Sequence, residues 1–109
     1  MGAADDETFQ EISERLLAAD PDIELKHAFS SPGLRYKDRI FAMHVREDLV
    51  VKLPLGRCEE LDSDGAARPF RVGQRVMREW VVIGPERQFE WDALADEALA
   101  FARQAAAAA

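Results

Sequence analysis

The chain has 109 residues, 48% of them apolar and 32% charged, with a net charge of −7. That length suits one domain able to bury roughly 60–70% of its unfolded surface, and the composition lies far from that of disordered chains. No apolar run nears the ~20 residues a membrane helix needs, and the acidic start MGAADDETFQ lacks the basic-then-apolar pattern of a signal peptide. A cytoplasmic location is therefore expected, and the single Cys58 leaves no internal disulfide to form.

In chain order, Asp5 or Asp6 offers a carboxylate cap for a first helix, in which Phe9, Ile12 and Leu16 recur at helical spacing with Leu17 on the flank. Glu11, Glu14 and Arg15 turn outward, and the helix should stop before Pro21. Ile23, Leu25, His27 and Phe29 then alternate as a first strand leading into a loop at Ser30-Ser31-Pro32-Gly33. Leu34 to Tyr36, Arg39 to Arg46 and Leu49 to Leu53 make a three-stranded meander, turned at Lys37-Asp38 and at Glu47-Asp48. Strict alternation in the middle strand puts Phe41, Met43 and Val45 on one face and Ile40, Ala42 and His44 on the other.

Pro54 suits the start of a short helix, where its missing N–H costs nothing, with Leu55, Cys58 and Leu61 inward and Asp64-Gly65 at its end. Ala66 to Gln74 reads as a loop or weak edge strand, because Pro69 argues against a central position. Trp80 to Ile83, apolar on both faces, reads as an interior strand. After Gly84-Pro85 a last helix runs from about Arg87 to about Arg103, with Trp91, Leu94, Ala95, Ala98, Phe101 and Ala102 in one stripe. Asp92, Asp96 and Glu97 face water, and Leu99 falls off the stripe as an exposed residue or a dimer contact. The sum is a single α+β domain over residues 1–109, a bent antiparallel sheet of about five strands with terminal helices and a short inserted one. Residues 1–6 and 104–109 are expected to fray.

Charge is unevenly spread. Residues 1–25 carry eight acidic side chains against Arg15, while residues 26–57 carry seven basic and three acidic ones. Acidic helices and a basic sheet surface can complement each other within one domain. Alternatively Arg35, Lys37, Arg39, Arg46 and Lys52 converge into a site for anions or nucleic acid, where each neutralised phosphate releases a counterion. Against DNA stand the acidic total and the carboxylates on both terminal helices.

The strings SPGLRYKDRIFAM, LVVKLP and RVMREWVVI, in this order, resemble the TfoX/Sxy N-terminal domain family and, more distantly, the YjbR family. The resemblance spans roughly Leu16 to Ala102, and Val76 stands where the family commonly has proline. It implies a strongly bent antiparallel sheet flanked by helices. It also implies a link to regulation of natural competence and a DNA-binding label.

Chemistry is sparse. His27 shares a phase with Leu25 and Phe29, so it reads as a core-edge residue, and His44 falls on the wetter side of its strand. Neither has zinc-site spacing, and no metal or cofactor is expected. Cys58 reads as a small buried hydrophobe, with Glu59 and Glu60 disfavouring its thiolate. Trp80 and Trp91 read as core, and Glu11 and Glu14 as a solvated pair. The leading reading is a non-enzymatic binding or regulatory module acting through a protein partner or self-association, a homodimer included, and not through a membrane. The alternatives are a DNA-associated regulator using the basic sheet edge, and a small-molecule or enzymatic role in a cleft between sheet and helices.

Overall fold

A computed structural model describes residues 2–28 and 31–108. Helix α1 (Gly2–Ala19) starts earlier than expected, so Asp5 and Asp6 lie inside it rather than at its cap; their side chains lie outside the described residues. Strands β1 (Ile23–Ala28), β2 (Ser31–Tyr36), β3 (Arg39–Val45) and β4 (Asp48–Lys52) follow as antiparallel neighbours. The expected loop at Ser31-Pro32-Gly33 belongs instead to β2, paired with Ala28, His27 and Lys26, whereas Phe29 and Ser30 lie outside the described residues. Gly33 fits closely there: a Cβ would sit 3.3 Å from both the Lys26 carbonyl oxygen and Met43 Cγ, so a larger residue would need these neighbours to give by a few tenths of an ångström.

Pro54 precedes α2 (Leu55–Ser63), and Gly65 leaves it at φ +76, the left-handed exit that glycine takes without a Cβ clash. Then come β5 (Arg68–Val72), β6 (Arg75–Ile83), a 3-10 helix (Pro85–Glu90) and α3 (Trp91–Ala108). The six strands form one antiparallel sheet in the order β1-β2-β3-β4-β6-β5. This is an α+β fold, and its radius of gyration, 12.9 Å, is that of a single domain of this length. No described helix is long and apolar enough to cross a membrane.

All three helices pack on one face of the sheet. Phe9, Ile12 and Leu16 of α1, Cys58 and Leu61 of α2, and Trp91, Leu94 and Ala98 of α3 join the inward residues of the central strands in one buried cluster. Trp91 is fully buried and still satisfies its polar edge, its indole N–H donating to the Gly84 carbonyl at 3.2 Å. Leu99, expected outside, is buried in the same cluster. It lies on the flank of α3 that meets α1, in the helical row Asp92, Asp96, Leu99, Arg103. Arg15 bonds Asp92 at 2.7 Å and Asp96 at 3.0 Å, and Arg103 bonds Asp20 at 2.6 Å. The apolar stripe of α3 is wider than its sheet contact because a second helix covers its side.

The opposite face carries a smaller cluster of Met43, Val50 and Val82, roofed by the sheet's own Ile40, Val45, Phe70 and Trp80. Ile40 and Met43 share this face because β3 contains a bulge: Leu34 pairs with Ala42 but Arg35 pairs with Ile40, leaving Phe41 as the extra residue. The alternation therefore shifts. Phe41, Ala42 and His44 turn toward the helices, correcting the assignment that put Phe41 with Met43 and His44 on the wet side.

Candidate functional site

The five basic residues expected to converge are held in three places. Arg35 is bonded by Glu24 and lies 3.7 Å from Asp38, and Lys37 lies 3.9 Å from Asp22, so the acidic β1 flank neutralises both. The Glu24 carboxylate raises the Arg35 pKa further above its ordinary value. Arg39 and Lys52 meet at the rim of a pocket under α3. Arg46 stands at the opposite end of β3, seven residues from Arg39 and so about 23 Å away along a strand. Most of the remaining ion pairs among the described residues likewise tie one element to another, as between Arg57 and Glu97 or Arg68 and Asp48.

His27 is exposed, not at a core edge: β1 is an edge strand, and α1 covers Ile23 but leaves the next residues on that face, Leu25 (49% exposed) and His27, in solvent. His44 is only 6% exposed, stacked on Phe9 and edge-on to Trp91. It forms part of the floor of a groove of about 510 Å³ between α1 and the β1–β3 side of the sheet, with Phe9, Leu17, Leu25 and Glu14 around it. The Ser13 hydroxyl, buried beside it, donates to the Phe9 carbonyl at 2.8 Å.

Cys58 is buried, its sulfur 3.5 Å from the Leu53 carbonyl oxygen. Burial, and then the charges of Glu79 and Glu59, push its thiol pKa up, which disfavours a nucleophilic thiolate. Trp80 is half-buried on the helix-free face, 6.3 Å from Phe70 and under the Lys52 ammonium at 6.0 Å.

The feature that sequence reasoning missed is the β5–β6 ribbon. β4 pairs with β6 only from Lys52↔Trp80 to Leu49↔Ile83, so residues 75–79 of β6 have β5 alone as a strand partner. The register jumps from Pro69↔Val81 to Phe70↔Met77, so Arg78, Glu79 and Trp80 bulge out. Glu79 takes φ +68, a strained angle for a residue with a Cβ, and its carbonyl accepts from the Leu53 N–H at 2.9 Å. That hydrogen bond ties the bend to the end of β4. At the tip Gly73 supplies the positive φ of +62 that a two-residue hairpin turn needs.

On this ribbon residues 71–76 are all exposed, Val72 at 39% and Val76 at 42%. Arg71, Arg75 and Arg78 form no ion pair among the described residues. Residues 68–78 hold four arginines and no carboxylate, so the other 98 residues carry a net −11. The signal was present in the sequence, but it disappears when charge is averaged over the acidic second half.

No family model matches this sequence. No curated protein matches it either.

Proposed function

We propose that this chain is a non-enzymatic binding module, of the kind its likeness to the TfoX N-terminal domain suggests, which docks on an acidic protein surface through the β5–β6 ribbon. The supporting observation is the exposed run Arg71 to Val76, in which arginines that pair with no carboxylate among the described residues accompany two half-exposed valines. Arginine is enriched at protein interfaces, and apolar contact beside it supplies the desolvated centre that gives such contacts their energy. The acidic body steers the ribbon tip toward a negative partner and repels approach elsewhere. A second copy of the chain presents one such acidic surface, so self-association belongs to this reading.

The test is charge reversal. Arg71→Glu with Arg75→Glu is expected to weaken binding of a fluorescein-labelled acidic peptide by at least tenfold at low salt, with the melting temperature unchanged. Equal binding by both proteins would defeat the proposal.

A second reading, nucleic-acid binding, is favoured by one observation: a two-stranded antiparallel ribbon is narrow enough to enter a DNA major groove. Against it, few phosphate contacts are on offer and the body is strongly acidic. Binding of a labelled duplex that falls steeply with salt and exceeds that of the acidic peptide would establish this reading instead.

A further inference from the structure

We infer that the pocket between α3 and the sheet is a binding site for a small carboxylate with an apolar body. This inference is independent of the ribbon. The pocket holds about 200 Å³, with buried Phe41, Ala98 and Ala102 as its floor and half-buried Phe101 on its wall. Its rim carries Arg39 and Lys52, with Glu79 as the carboxylate among its lining residues, so the rim has a net positive charge.

Two features bear on this pocket. Arg15, Arg35, Arg57, Arg87 and Arg103 each hold a carboxylate of the chain, whereas Arg39 and Lys52, like the ribbon's Arg71, Arg75 and Arg78, form no ion pair among the described residues. Lys52 lines the pocket, and its ammonium lies 6.0 Å from the centre of the Trp80 ring, toward the helix-free side of the mouth. The bulge at Phe41 creates the floor: it turns Phe41 and Ala42 to the same side, and the alanines of α3 above leave the space open. Cationic residues at the mouth of an apolar pocket complement an anionic head on a hydrocarbon body. At about 200 Å³ the site lies below the ~300–1,000 Å³ of drug-sized pockets, which limits the body to a short chain or single ring.

The experiment is a thermal-shift and calorimetric titration of the full chain with octanoate, octanol and octylamine. Octanoate is expected to raise the melting temperature by a few degrees at saturation, octanol less, and octylamine not at all. Ala102→Leu fills the floor and Ala105→Leu the rim; either should remove the octanoate response, and the rim variant serves if the floor variant is unstable. Arg39→Gln with Lys52→Met should weaken octanoate at least tenfold while leaving octanol unchanged. No octanoate response, an equal response to octylamine, or undiminished binding by Ala105→Leu would overturn the inference. Arg71→Glu with Arg75→Glu should leave octanoate binding intact, so either proposal can fail without the other.

Discussion

The imidazole of His44 stacks on the ring of Phe9, centroids 5.2 Å apart and planes 16° apart, and so ties the middle of the sheet to the first helix. The contact exists because the bulge at Phe41 inverts the alternation of β3 beyond it. His44→Ala is accordingly expected to cost about 1–3 kcal/mol, as for a packed interior residue, against within ~0.5 kcal/mol for an exposed one. Urea denaturation read by tryptophan fluorescence measures it. A midpoint unchanged from the parent would place His44 on the wet face after all.

Leu99 is packed where α1 covers the flank of α3. Leu99→Ala should therefore cost about 2–5 kcal/mol, the range for an interior leucine that leaves a cavity. Its effect should not depend on protein concentration. A loss of self-association with stability unchanged would instead make Leu99 an interface residue.

Acid stability follows from two cross-element pairs. The Asp20 carboxylate accepts from Arg103 and from the Asp22 N–H, and Glu24 accepts from Arg35; both are held below their ordinary pKa values. A carboxylate depressed in the folded state adds stability above its unfolded pKa and loses it as the pH falls through the folded one. Stability should thus be flat near neutrality and fall below about pH 4. Arg103→Gln combined with Arg35→Gln should lower the neutral plateau and flatten the acid limb. An unchanged limb in that variant would show that other groups govern acid unfolding.

The helices and the three-stranded meander are legible because each rests on a local pattern, although α3 begins at Trp91 after a 3-10 turn rather than at Arg87. The stripe of α3, Pro54 before α2 and Gly65 after it, and the interior place of Trp80 to Ile83 all hold. What escaped depends on contacts between elements. A bulge leaves no mark in a run as apolar as Ile40 to Met43, so the facing of Phe41 and His44 is inverted. Leu99 reads as off-stripe until α1 is laid beside it, and His27 as core until β1 proves to be an uncovered edge. The α3 helix continues to Ala108, past the end of its apolar stripe, on alanine's helix propensity. Arg35 and Lys37 read as a site because their partners, Glu24 on β1 and Asp22 in the turn before it, adjoin them only once the strands are paired. The arginines at 71, 75 and 78 needed the fold to show that they share one exposed ribbon.

The most direct test of that ribbon's role is amide chemical-shift mapping of the isotope-labelled chain during titration with an acidic peptide at low salt. Perturbations concentrated in residues 70–78, strongest at Arg71 and Arg75 and absent after their reversal to glutamate, are the predicted result. Perturbations centred on the α1 groove or on Arg35 and Lys37, with residues 70–78 unmoved, would contradict it.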